Sequence, residues 1–271
     1  MNNTTQQNEK KRNVVSSLHL LKEHLSQSKL RSLSINSESL SKLKSFKKRF
    51  SHSNTAINSS SSQDDKNKRI KDLEFAAKND NELRGVDSLR DTFVFSDGNV
   101  ESELMFIGEA PGYEEEKLKK PFVGPSGQLL DKIISAMGVS RNDIYISNIV
   151  KYRPKIGDGH QGHSNRKPSS EEMSLSIKYI LNEIEIIKPK LIVTLGGAAT
   201  KGLLKLDQPI SSLRGKIHEL NDIKAIVTYH PSYLLRSKNP NQDKRLVWED
   251  MLMAMDFLKM SISQRQRNYF K

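Results

Sequence analysis

Five stretches hold the residue types best suited to chemistry: Gly108–Gly112 (GEAPG), Pro121–Gly124 (PFVG), Asn148, Gly196-Gly197 and His230–Arg236 (HPSYLLR). Gly108, Pro111 and Gly112 dictate a tight turn where backbone can come close to a ligand, and Glu109 gives that turn a carboxylate. Phe122 sits after a proline and near two glycines; it fills core or stacks on a flat ring. The amide of Asn148 is both donor and acceptor, so it caps a loop or reads the edge of a base. Gly196-Gly197, just before a helical pattern, offers open N–H groups of the kind that suit a phosphate. His230 is a hydrogen-bonded structural residue or a working imidazole. No GxGxxG follows a strand pattern and no GxxxxGK[ST] occurs, which excludes the dinucleotide and P-loop fingerprints.

These segments need something to bring them together. Leu104–Ile107 (LMFI), Ile144–Ile146 (IYI), Leu191–Leu195 (LIVTL) and Ala225–Tyr229 (AIVTY) read as buried strands of a parallel sheet. Helical patterns lie between and after them, over Gly127–Met137, Ser170–Ile187, Ala198–Leu206 and about Asp243–Met260. Alternating strands and helices make an α/β domain with helices on both faces. In such sheets ligands bind beyond the carboxyl ends of the strands. Each of the four strands is followed there by a glycine-rich or polar segment, and that convergence is the main sign of an active site.

Composition limits the alternatives. The 271 residues contain no cysteine, which excludes disulfides, thiolate zinc sites and cysteine-held iron–sulfur clusters. No apolar run approaches the ~20 residues of a membrane span. The net charge of +12 is concentrated at one end: residues 1–70 hold 14 Lys/Arg against 5 Asp/Glu. This Ser-, Asn- and Lys-rich stretch reads as a disordered basic tail, and 71–271 as the folded domain. Two other readings of the tail are an arm that folds on nucleic acid or on a protein partner, and an organelle presequence, the latter weakened by Glu9, Glu23 and Glu38.

Together Gly108–Gly112, Pro121–Gly124, Gly127–Asp131 (GQLLD), Asn148 with Lys151–Pro154 (KYRP), Asn165–Pro168 (NRKP), Leu195–Ala198 (LGGA) and His230–Arg236 resemble the bacterial and archaeal type-4 uracil-DNA glycosylases. The resemblance covers about residues 84–260. It implies a three-layer α/β/α sandwich around a four-stranded parallel sheet. It also implies an enzyme that flips uracil out of DNA and hydrolyses its bond to deoxyribose, leaving an abasic site. On this resemblance Phe122 stacks on the uracil, Asn148 pairs with its amide face, and His230 hydrogen-bonds the O2 side as negative charge develops. Glu109 and Glu115 hold the first turn and handle the water, and Asn165 lines the pocket with Gly108 and Ala110. Gly196, Gly197, Ser232, Tyr233, Leu234 and Arg236 are expected on the DNA, with Leu234 or Tyr233 as a wedge. Arg153, Arg166 and Lys167 are candidate phosphate contacts.

The chain also departs from the pattern. Where members carrying an iron–sulfur cluster have four cysteines, this sequence places Arg84, Asp87, Tyr152 and Ser176. No cluster, other cofactor or metal is therefore expected; His160 and His163 on the long loop after Pro154 make a weak ligand pair at most. Lys119 replaces a usual glycine. His218 in Arg214–His218 (RGKIH) is similar to the histidine that captures the sugar in a related suicidal branch, but Ala110 stands where that branch has Gln, which favours hydrolysis. The rival reading is a catalytically weak or inactive DNA-binding module of the same fold. The expected setting is a cytoplasmic, nucleoid-associated monomer with uracil-containing DNA as partner and no membrane contact.

Overall fold

The computed structural model describes residues 59–270. The tail readings, as partner arm or presequence, fall on residues before 59 and lie outside the described residues. The expected boundary at residue 70 falls inside a helix, α1 (Ser59–Lys78). Composition hid it because α1 is mostly polar. It is anchored by Ile70, Leu73 and Ala77 against the core, and by Lys66, which reaches Glu101 and the carbonyl of Ile187.

A short α2 (Asn81–Arg84) leads to strands β1 (Leu89–Phe93), β2 (Asp97–Gly98) and β3 (Leu104–Gly108). Then come α3 (Tyr113–Leu118), α4 (Pro125–Ala136), β4 (Tyr145–Asn148) and β5 (Tyr152–Pro154). The second half runs α5 (Ser170–Ile187), β6 (Leu191–Leu195), α6 (Gly197–Leu204), α7 (Ile210–Leu213), β7 (Ile217–Leu220) and β8 (Ile223–Thr228). It ends with α8 (Pro231–Arg236), α9 (Pro240–Phe257) and α10 (Gln264–Arg267).

The central sheet has the order β2-β4-β3-β6-β8-β7. Its middle four strands are parallel, as expected, and β2 and β7 add antiparallel edges. The edges carry no apolar run: β2 is two residues long, and β7 is half exposed. A separate ladder pairs β1 with β5. Alternation along β3 builds the layers. Met105 and Ile107 pack with α1, α5 and α6; Leu104 and Phe106 pack with α4 and α9. The four parallel strands end on one edge, and the chain leaves β3 first to β4 on one side and later to β6 on the other. That reversal puts Gly108, Asn148, Gly196 and His230 around one crevice.

Candidate active site

Gly108 is the floor of the site. It pairs in register with Asn148, and the following turn stays alongside, with the N–H groups of Ile149 and Val150 donating to the carbonyls of Gly108 and Glu109, both at 3.1 Å. A Cβ on Gly108 would lie 2.4 Å from Oδ1 of Asn148 and 2.4 Å from Cζ of Phe122. Only glycine lets the amide and the ring meet there. Asn148 is buried, and its Oδ1 takes no hydrogen bond among the described residues. A buried acceptor left open costs about 1–3 kcal/mol, so a ligand N–H placed there restores what folding removed.

Phe122 is held in a strained backbone. Its φ is +52°, a left-handed conformation that costs a non-glycine residue about 1–2 kcal/mol. Two clamps impose it. Arg141 donates to the carbonyls of Pro121 (2.6 Å) and Phe122 (2.9 Å) while paired with Asp97 and Asp131. Gly127 leaves room for the same carbonyl, which a Cβ would meet at 2.0 Å. Glu115 adds a third fastening: it accepts from the N–H groups of Gly112 (3.1 Å), Val123 (3.0 Å) and Gly124 (2.9 Å). Its carboxylate therefore ties the first turn to the Phe122 loop, so of the two roles expected for it, Glu115 fills that of a positioning residue. Arg141 was missed in the sequence because it lies in a short turn with no motif around it.

His230 caps α8. Its Nδ1 accepts from the N–H of Ser232 at 3.1 Å and lies 2.8 Å from that serine's Oγ. In the neutral ring the proton is thus on Nε2, which makes that atom the donor. Burial, with nearby Arg236, lowers the pKa from 6.5 to about 4, so the ring is neutral at physiological pH. Its centroid is 5.7 Å from that of Phe122. Glu109 behaves oppositely. Burial raises its carboxyl from 4.5 to about 7, against a weaker pull from Lys167. Its side chain takes no hydrogen bond among the described residues.

A buried amide with an open acceptor, a buried aromatic ring, a neutral imidazole donor and a carboxyl titrating near neutrality therefore lie together at the carboxyl edge of the sheet. A sequence profile of the Uracil DNA glycosylase superfamily matches residues 95–252, which contain all four. The chain belongs to that superfamily. Among its relatives is a type-4 uracil-DNA glycosylase of Thermotoga maritima, 40% identical over 172 residues, or 63% of this chain and 85% of that one. A type-4 enzyme of Pyrobaculum aerophilum is 34% identical over 54% of this chain and 75% of its own. A type-5 uracil-DNA glycosylase of the same organism is 25% identical over 51% of this chain and 64% of its own.

Several expected contacts of this superfamily member fall elsewhere. Leu234 is buried and lines a hollow of about 250 Å³ with Ile133, Val247 and Trp248, so it cannot be a wedge; Tyr233 and Leu235 are the exposed large apolar residues of α8. The hydroxyl of Ser232 is engaged by His230 and Arg236, and the N–H of Gly196 is spent on the carbonyl of Thr228. Gly197, Tyr233 and Arg236 are exposed. Two of the basic residues after β4 are not in solvent. Lys151 is fully buried against Glu183, and Arg153 is spent on Glu116, Asn165 and the carbonyls of Gly162 and Ser164. Arg166 grips Glu172 with two nitrogens. Neither arginine is free for a phosphate; Lys167 is exposed. Asn165 is exposed, held by Arg153, with its amide over Gly112. Ala110 packs against the core. His218 lies on β7, its Nε2 2.7 Å from the carbonyl of Leu213, opposite Ala225 rather than at a strand end.

The four positions of the iron–sulfur ligands do not fit a cluster. None supplies a thiolate. Arg84 and Asp87 are exposed, whereas Tyr152 is packed in the core with its ring 5.3 Å from Phe93, beside Leu83 and Tyr179. Tyr179 donates to Asp80, which also pairs with Lys178. Burial pushes the Asp80 carboxyl up, but these bonds outweigh it and hold it at about 2. Aromatic packing and a charged knot join α2 to α5 here. Among the described residues no three His, Cys, Asp or Glu side chains gather to hold a metal; His163 instead lies tilted against the Tyr113 ring, centroids 3.9 Å apart. No described helix is long and apolar enough to cross a membrane.

Proposed function

We propose that this protein excises uracil from DNA by hydrolysing the C1′–N1 bond of deoxyuridine. The observation that carries the reading is the buried, open Oδ1 of Asn148 beside the Phe122 ring and the neutral His230. The bond cannot be reached inside the duplex, so the nucleotide is flipped out at a cost of a few kcal/mol. Phe122 stacks on the base. Oδ1 of Asn148 accepts from N3–H, and the amide nitrogen donates to O4; cytosine offers neither group in that arrangement. As C1′–N1 breaks, both electrons leave with uracil, and Nε2–H of His230 stabilises the charge on O2. Water bonds to C1′ and gives its proton to Glu109. Gly197, Tyr233, Arg236 and Lys167 flank the DNA path. The presence of all these groups in working protonation states supports an enzyme over a binding module without chemistry.

The test is release of free uracil from an oligonucleotide containing one deoxyuridine. Wild-type protein is expected to release it, and His230→Ala to do so about 10²–10³-fold more slowly, with the affinity for DNA little changed. Equal losses of rate and affinity would refute the role of His230, and no release by the wild type would refute the function.

A further inference from the structure

We propose that Asp250 is a positioning residue for His230, acting through Thr228. The inference rests on His230 being the donor to the departing base. Asp250 lies on α9, is fully buried, and touches none of the groups assigned to chemistry. Each of its oxygens serves two donors. Oδ1 accepts from Nη2 of Arg214 (3.0 Å) and the N–H of Gly215 (3.2 Å); Oδ2 accepts from Nε of Arg214 (3.1 Å) and the hydroxyl of Thr228 (2.7 Å).

Thr228 is the last residue of β8, two before His230. Its hydroxyl is fixed by Asp250, and its carbonyl accepts from the N–H of Gly196 at 2.9 Å. The next residue, Tyr229, stacks on Tyr233 at 4.9 Å. His230 then lies so close to Gly196 that a Cβ there would approach its own Cβ to 2.9 Å. The strand end is thus gripped on both sides just before the imidazole. A buried charged pair is an inefficient way to stabilise a fold, since apolar residues of the same volume often do as well. It does fix geometry, because an Arg fork and a carboxylate meet in one orientation.

Thr228→Val keeps the shape and removes only the hydroxyl. The expected result is a single-turnover rate of uracil release lower by about tenfold, with half-saturating DNA concentration within about twofold of wild type, and recovery in Thr228→Ser. Asp250→Asn should fall further. The nitrogen NMR signals of the His230 ring in the free protein give a second reading: Nε2–H dominates in the wild type, and the mixture of tautomers changes in Thr228→Val. A variant with wild-type rate and unchanged ring signals would overturn the proposal, as would a loss that Thr228→Ser does not restore. Wild-type protein that releases no uracil would instead overturn the function, while the ring signals still decide whether Asp250 and Thr228 set the imidazole.

Discussion

Lowering the pH below 7 should slow uracil release through Glu109, with no contribution from His230. The Glu109 carboxyl titrates near 7, and in the proposed reaction it must be ionised to take the proton from water. At pH 6 roughly one molecule in eleven carries the carboxylate, and at pH 5 about one in a hundred, so the rate falls close to tenfold per pH unit. His230, at about 4, keeps its Nε2 proton and its neutral ring throughout this range. The assay is single-turnover release from a deoxyuridine oligonucleotide between pH 5 and 9. Wild type should bend near 7, while Glu109→Gln should be slower and nearly flat. Stability gives an opposite sign. The folded state binds this proton more tightly than the unfolded chain, so the charge costs stability as pH rises from about 4.5 through 7. The gap corresponds to at most about 3 kcal/mol, and Glu109→Gln should be the more stable protein at pH 8. A Glu109→Gln profile that still bends near 7, or a wild-type bend near 4, would show the reasoning to be wrong.

Asn148→Asp exchanges a donor for an acceptor and should cut uracil release by about 10²-fold while raising cytosine release relative to it; unchanged preference on paired uracil and cytosine oligonucleotides would count against base reading. Gly108→Ala drives a methyl into Oδ1 of Asn148 and the Phe122 ring, and a displacement of about 1 Å there should lower the rate on the order of 10²-fold, measured at saturating DNA. Glu115→Gln weakens three backbone hydrogen bonds and should lower stability in urea by about 1–3 kcal/mol; a loss of rate with full stability would instead make Glu115 a chemical participant.

The parallel core and its active edge were legible because buried strands are written as apolar runs, and because each run ends in glycine, asparagine or histidine. The α5 and β6 bounds match the patterns read over Ser170–Ile187 and Leu191–Leu195. The edge strands were not legible, since a strand paired on one side and wet on the other needs no apolar stretch. Basic residues misled for a related reason. A sequence shows that Arg153 and Arg166 are charged, but not that Glu116 and Glu172 are already beside them. Leu234 misled through helical phase: Tyr233 and Leu235 flank it on the exposed side of α8, and one turn angle decides which of the three meets solvent.

The same physics explains how the site keeps its shape without thiolates at the cluster positions. Side chains alternate along β5, so Tyr152 and Arg153 point to opposite sides. Tyr152 closes the core against Phe93 and Tyr179. Arg153 turns the other way, and through Glu116, Asn165, Gly162 and Ser164 it fastens α3 and the long loop to the strand. Arg90 bonds to the same Glu116 from β1, the strand paired with β5. Residues on both sides of the crevice are then fixed by backbone bonds and fully used charges: the first turn and the Phe122 loop by Glu115 and Arg141, and His230 by the Ser232 N–H. The fastenings at Glu115, Arg141 and His230 do not pass through the positions where cysteines would stand, so the groups proposed to meet uracil are held independently of those positions.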